Sequence, residues 1–347
     1  MDFPNKQTEL VIKFYEELLH NRQDVLELKD QIEEAIKIGN NFDFNDKFEY
    51  KNVVICGLGG SGIGGSILKD IVKDELKIPV ELVKDYNIPN YISMKTLVIC
   101  SSYSGNTEET ISAMKKCHER EAKIFTISSE GFVEKFSAEN SIPHIKIPSG
   151  SPPRAMFAYS FVQLFFILYK NHLISNEFLK NLDQTIATLK KNSENIISAA
   201  SSAAHKIHKT TAIIYCCDGY EGLAIRFRQQ LNENSKMLCW HAVIPEMNHN
   251  EILGWRTNTD DLSVIFLQND DDFYRNKLRV SINKKIIQKY NPKIIEINSF
   301  GNSKLEKTLY LVHLTDWISW FLSELNNVDS IEIDVINYLK SELSKIN

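Results

Sequence analysis

Short apolar runs rich in β-branched residues alternate with helical segments along this chain, and the alternation occurs twice. The first series is Val53–Cys56, Val80–Val83, Thr96–Cys100, Lys123–Ser128 and His144–Ile147, with helical segments such as Ser66–Val72 and Glu108–His118 between. The second is Ala212–Cys216, Lys236–Trp240, Ser263–Leu267 and Lys293–Ile297, separated by helical Glu221–Asn232 and Phe273–Lys289. Strands that alternate with helices imply a mostly parallel sheet covered on both faces. The expected fold is therefore α/β, with two three-layer α/β/α units of similar plan.

The remaining segments divide the chain. Leu10, Phe14, Leu18, Val25, Ile32 and Ile36 give residues 8–38 helical spacing. Pro148-Ser149-Gly150-Ser151-Pro152-Pro153 breaks the first alternation. Helical stretches 155–170 and 177–206 then precede the second series, and 305–325 and 333–343 close the chain. The organisation expected is an N-terminal helical segment (1–49), a first α/β unit (50–153), a helical connection (154–209) and a second α/β unit with C-terminal helices (210–347).

Composition excludes several function classes. A net charge of -5 gives no support for nucleic-acid binding. The start, Met1-Asp2-Phe3-Pro4-Asn5-Lys6, lacks the basic and apolar regions of a signal peptide. The most apolar stretch, Ala155 to Tyr169, is too short to span a membrane and carries Ser160 and Gln163, so it reads as a buried helix. Six cysteines (56, 100, 117, 216, 217 and 239) show no zinc-ligand spacing and no Cys-x-x-Cys pair. They read as reduced thiols of a cytoplasmic protein. His205 and His208 have no carboxylate cluster beside them, so no metal site is expected.

Two loops carry the chemistry. Gly57-Leu58-Gly59-Gly60-Ser61-Gly62 follows one strand, and Ser101-Ser102-Tyr103-Ser104-Gly105-Asn106-Thr107 follows another, with Glu108-Glu109-Thr110 opening a helix. Each offers small residues at a helix N-terminus, where free N–H groups and the helix dipole attract anions. Alone, the first loop reads equally as a Gly57-x-Gly59-x-x-Gly62 dinucleotide fingerprint, with Asp85 as the ribose carboxylate of an NAD(P)-dependent dehydrogenase. It also reads as a turn that lets a helix pack close to a strand. The second loop shifts the balance. A dinucleotide has no need of Ser102, Ser104 and Thr107 on another strand's end, whereas a terminal phosphate must be fully coordinated. Ordinary N-capping accounts for one hydroxyl, not three. Neither loop has Lys or Arg; neutral donors can hold the dianion in the field of the helix dipoles.

Gly59-Gly60-Ser61 and the run from Ser102 to Thr110 resemble the sugar isomerase (SIS) domain. Three later segments narrow the resemblance: Ser151-Pro152-Pro153-Arg154, Leu231-Asn232-Glu233-Asn234-Ser235-Lys236, and the run from Glu246 through Asn248-His249-Asn250-Glu251 to Trp255. Together, over residues 50–345, they resemble the bifunctional phosphoglucose/phosphomannose isomerase family. The resemblance implies two SIS subdomains, a homodimer, and a hexose 6-phosphate substrate. The reaction implied interconverts glucose 6-phosphate, and mannose 6-phosphate as a second aldose, with fructose 6-phosphate through a cis-enediol(ate), without metal or cofactor. It also implies that Gly60, Ser61, Ser102, Ser104 and Thr107 hold the phosphate and that Arg154 lies near C1 and C2. Glu233 would move the proton between those carbons. His249, supplied by the neighbouring subunit, would act in ring opening, assisted by Lys340 in Tyr338-Leu339-Lys340-Ser341-Glu342-Leu343. Where the family often has Asp-Pro after its penultimate helix, this chain has Val328-Asp329-Ser330-Ile331.

The residue types suit that chemistry. A carboxylate in contact with both carbons can serve as the carbon base. A histidine titrates near neutrality and can exchange a proton with a sugar oxygen. An arginine behind two prolines sits on stiff, extended chain and can stabilise a developing enediolate. By spacing alone, Glu233 is a solvated helix-end residue and Arg154 a surface cap. A non-catalytic SIS regulator would need the two loops but not Arg154, Glu233 and His249 together. His313, Asp316 and Trp317 lie in an apolar helical stretch and read as structural, and Asp270-Asp271-Asp272 reads as a solvated helix start.

Overall fold

The computed structural model describes residues 28–44, 47–258, 261–291 and 293–346. Residues 8–27 of the expected N-terminal helix lie outside the described residues; the remainder is α1 (Leu28–Asn41). Next come β1 (Asn52–Cys56), α2 (Gly59–Val72), β2 (Val80–Val83), β3 (Thr96–Ser101), α3 (Glu108–Glu119), β4 (Lys123–Ser128), α4 (Gly131–Glu139) and β5 (His144–Lys146). These strands form a sheet in the order β2-β1-β3-β4-β5, parallel at every pairing. Every residue of β3 is buried, as a central strand covered on both faces should be.

Two helices, α5 (Phe157–Lys170) and α6 (Glu177–Ile207), lead to the second sheet. It is built from β6 (Thr211–Cys217), α7 (Glu221–Glu233), β7 (Cys239–Ile244), β8 (Leu262–Gln268), α8 (Tyr274–Ile287) and β9 (Ile294–Asn298). Its order is β7-β6-β8-β9, again all parallel. Helices α9 (Lys304–Asn326) and α10 (Asp334–Leu343) complete the described chain. Helix α5 is buried from Phe157 to Leu168, and its Gln163 amide donates to the Ala35 carbonyl at 2.9 Å. No described helix is long and apolar enough to cross a membrane.

Three local expectations need correction. Helix α2 starts at Gly59, inside the glycine loop, rather than at Ser66. The seventh strand runs over Cys239–Ile244 rather than Lys236–Trp240. Lys236 takes a left-handed turn (φ 56°), and the Met237 N–H closes the end of α7 on the Leu231 carbonyl at 3.1 Å. The chain becomes free to pair only after that turn. Helix α4 and the two 3-10 turns, Glu246–His249 and Glu251–Thr257, have no strong periodic signal and were not anticipated.

The two halves meet where α2 crosses α7. The crossing is close enough that a Cβ on Gly222 would lie 2.7 Å from the Ile67 nitrogen. Asp70 on α2 accepts from the Gly222 N–H at 2.8 Å, and the Lys304 ammonium donates to the Asp70 carbonyl at 2.8 Å. A carboxylate thus sits at the N-terminus of α7, where the helix dipole favours it.

His313, on α9, is buried. Its Nε2 accepts from the Trp317 indole at 3.3 Å, and burial lowers its pKa to about 4. The unfolded chain takes up this proton near pH 6.5, and the folded chain only near pH 4. The contribution to stability is therefore complete above pH 6.5 and is lost as the pH falls toward 4. Denaturant titrations over this range are expected to show His313→Leu flattening the acid side of the stability profile, removing a pH-linked loss of about 3 kcal/mol. A variant profile that keeps the wild-type slope contradicts this.

Candidate active site

In the first sheet the chain runs outward from β1 to β2 and then crosses back to β3. The carboxyl ends of β1 and β3 lie side by side, with Cys56 opposite Cys100. Such a switch point leaves a crevice above the sheet, where ligands of open α/β folds bind. Both sequence-predicted loops open into it, and the N-termini of α2 and α3 face the same crevice.

The loops are tied to each other. Ser61 is buried, and its hydroxyl accepts from the Tyr103 N–H at 2.9 Å. Ser102 and Thr107 share a hydroxyl–hydroxyl bond of 2.9 Å. The Thr107 side chain does not cap α3, so capping does not explain these hydroxyls. Ser104 is exposed and accepts from the Asn106 N–H at 3.3 Å. Gly105 adopts φ +66°, and a Cβ there would fall 1.7 Å from the Glu130 carbonyl oxygen. Only glycine fits that left-handed, backbone-crowded position. The result is a pair of hydroxyl-lined loops held against each other by hydrogen bonds.

Arg154 connects these loops to the second half. Its backbone packs on the first loop: a Cβ on Gly60 would lie 3.0 Å from the Arg154 nitrogen. Its side chain is buried and points the other way. Nε donates to Asn234 Oδ1 at 2.7 Å, and Nη1 reaches Glu233 Oε2 at 3.4 Å. Nη2 donates to the Ser330 carbonyl and, at 3.4 Å, to that of Ile331. Asn234 and the two carbonyls were not identified from sequence; nothing in their spacing marks them. Glu233 is the last residue of α7, with its side chain 27% exposed. It opens on a cleft of about 450 Å³ shared with Lys236, Leu238 and Glu332. Arg154 itself lines a separate cavity of about 200 Å³ with Gln31, Phe157 and Trp320.

A second buried ion pair stands behind the first. Arg226 on α7 donates to Asp316 Oδ2 on α9 at 2.6 Å and to the Arg154 carbonyl at 3.3 Å. Gln230 donates to Asp316 Oδ1 at 3.1 Å. The Arg226 guanidinium lies 4.3 Å from the centre of the Phe157 ring. Burial raises the Asp316 carboxyl above its usual range, opposed by Arg226.

The remaining two predicted residues are not brought to this place within one chain. His249 is exposed at the end of a 3-10 turn. Its neighbours hold the turn: Glu251 accepts from the Tyr215 hydroxyl at 2.7 Å and from the Trp240 indole at 3.3 Å, and Asn250 donates to Glu246 at 2.9 Å. No hydrogen bond or ion pair among the described residues links the His249 ring to Glu233 or Arg154. Lys340 lies on α10, which has no buried residue. Within one chain the two loops contact each other, Gly60 lies against the Arg154 backbone and the Arg154 side chain reaches Glu233, while His249 and Lys340 are on the surface.

Two parallel sheets flanked by helices, with paired small-residue loops at one switch point, are the architecture of the SIS class. A family model described as the bacterial phospho-glucose isomerase C-terminal SIS domain matches residues 196–343. A bifunctional phosphoglucose/phosphomannose isomerase of Caldicellulosiruptor bescii is 37% identical over 93% of this chain and 99% of its own length. Its counterpart in Aquifex aeolicus is 35% identical over 88% of this chain and 96% of its own. Among solved structures, the C-terminal domain of glucosamine-fructose-6-phosphate aminotransferase from Francisella tularensis has the same fold. Its TM-score is 0.73 at 12% identity, covering 89% of this chain and 97% of that one. The chain belongs to the bifunctional phosphoglucose/phosphomannose isomerase family.

Arg154→Ala removes the donor to four acceptors, two of them side chains of the second half. Chemical denaturation is expected to show a loss of about 2–4 kcal/mol, because partly buried acceptors lose a charged donor. An unchanged midpoint would show that the bridge does not hold the halves.

Proposed function

We propose that the chain interconverts glucose 6-phosphate and fructose 6-phosphate, with mannose 6-phosphate as a second aldose. The observation that carries this reading is the Arg154 bridge. Its backbone packs on the first glycine loop and its side chain reaches the Glu233 carboxylate, which supports a site shared by the two halves. The named activity of the relatives supports the same reaction. On this reading, residues 50–153 and 210–347 are the two SIS subdomains and 154–209 the helical connection. The setting is the cytoplasm, where hexose phosphates are made and consumed.

The phosphate sits among Ser61, Ser102, Ser104, Thr107 and the N–H groups at Gly60, fixing the far end of the open sugar. Glu233 takes the proton from C2 of the aldose and returns it to C1, while the O2 proton passes to O1 at the enediol(ate) stage, giving the ketose. Between the two transfers, negative charge develops on the enediolate oxygens, and the Arg154 guanidinium stabilises it. Glucose and mannose 6-phosphate share this enediol, so one base serves both epimers.

Ring opening needs a proton donor and acceptor that Glu233 does not supply. On this reading His249 comes from a second copy of the chain, with Lys340 assisting. Exposed apolar residues support a partner surface: Leu253 beside the His249 turn, and Val335, Leu339 and Leu343 on α10. A homodimer with shared active sites is therefore part of the proposal.

Glu233→Gln keeps the shape and removes the base. Turnover of fructose 6-phosphate is expected to fall by about 10²–10⁴-fold, while binding of the same sugar phosphate by calorimetry stays close to wild type. Near-normal turnover in that variant rules out the proposed mechanism. Loss of binding together with turnover would instead make Glu233 a binding or structural residue.

A further inference from the structure

Asn234 follows the proposed base and faces the opposite side of Arg154. It is buried and makes two side-chain hydrogen bonds. Oδ1 accepts from Arg154 Nε at 2.7 Å, and Nδ2 donates to Ser319 Oγ at 3.0 Å. The Ser319 hydroxyl in turn donates to the Asp316 carbonyl at 2.7 Å. A hydroxyl has one proton, so Ser319 can only accept from Asn234. That settles which end of the amide faces the arginine. Ser235 adds a clamp, its hydroxyl donating to the Ser319 carbonyl at 2.6 Å.

The same stretch of α9 also holds the arginine's backbone. Asp316 orients Arg226, and Arg226 donates to the Arg154 carbonyl. Residues 316–319 therefore act on both ends of Arg154, through Asn234 at the side chain and through Arg226 at the main chain. The acceptor at Nε is neutral. A carboxylate in that place would compete with Glu233 and cancel charge that an enediolate could use. A neutral amide pins the guanidinium plane and leaves its charge in the site.

We propose that Asn234, oriented by Ser319, is a positioning residue for the isomerisation: it sets the Arg154 guanidinium so that Nη1 faces the Glu233 carboxylate. This rests on the reading of Glu233 as carbon base and Arg154 as charge stabiliser. Asn234 itself touches neither substrate nor reacting atoms. A guanidinium free to tilt would still carry its charge but would miss the enediolate oxygens.

The test measures kcat and KM for fructose 6-phosphate in N234A and S319A, each made with Arg154 present and with R154K. Lysine places a methylene where Nε lies, so the bond to Asn234 is absent in that background. N234A is expected to lower kcat by about a hundredfold, the scale of a misplaced catalytic group. KM should stay within about threefold, because the serine loops still hold the phosphate. S319A is expected to lower kcat by about fivefold through the loosened amide. In the R154K background each substitution should cost less than about twofold more, since a residue that acts through Arg154 has nothing left to act on. Wild-type kcat in both N234A and S319A, with E233Q inactive, overturns the positioning role alone. Equal losses in both arginine and lysine backgrounds also overturn it, as they mean general structural damage. If N234A does not fold, S319A in the two backgrounds decides by the same criteria. An active E233Q would sink the isomerase reading, and this inference with it.

Discussion

A buried guanidinium needs acceptors, and every hydrogen-bond acceptor described for Arg154 comes from the other half of the molecule. The arginine springs from the turn that packs on the first glycine loop. Glu233, Asn234 and the carbonyls of Ser330 and Ile331 all belong to the second half. Burying an unpaired charge is costly, and burying one with several well-placed partners much less so. The contacts that bury Arg154 are therefore also contacts between the halves. The Asp70 contact to α7 and the Gly222 crossing fix the same interface from the opposite side. The loops then lie above the first sheet while the carboxylate is carried in from α7, and the proposed chemistry works across that seam.

The layered fold was legible because its cause is local. A run such as Thr96–Cys100 is short, apolar and β-branched, and the structure buries it completely in a central parallel strand. The two loops were legible for the same reason, since small residues after a strand leave room for a ligand and for close backbone packing. Helix Phe157–Lys170 was legible from its unbroken apolarity; its polar Gln163 finds a backbone partner on α1. Arg154 and Glu233 became candidates only through the family resemblance, as an arginine after prolines and a glutamate at a helix end are ordinary features of a surface.

What escaped sequence reasoning was set by tertiary geometry. The displaced seventh strand follows from a left-handed turn at Lys236, a residue type that gives no warning of positive φ. Helix α2 begins among glycines, poor helix formers, because its packing needs their absent side chains. Asp316 was read as structural from its apolar surroundings, and its pairing with Arg226 depends on two helices meeting. Asn234 and Ser319 are 85 residues apart in the chain and share no pattern. His249 and Lys340 are both exposed, in segments far along the chain from the two loops.

The central claim is that one chain supplies the phosphate loops, Arg154 and Glu233, while a second supplies His249. Mixing inactive E233Q subunits with inactive H249A subunits, under conditions that exchange them, tests it directly. A mixed dimer would hold one complete site, with Glu233 from one chain and His249 from the other. Statistical mixing of equal amounts is expected to recover about a quarter of wild-type turnover. No recovery, with subunit exchange demonstrated by mass-tagged chains, would contradict it.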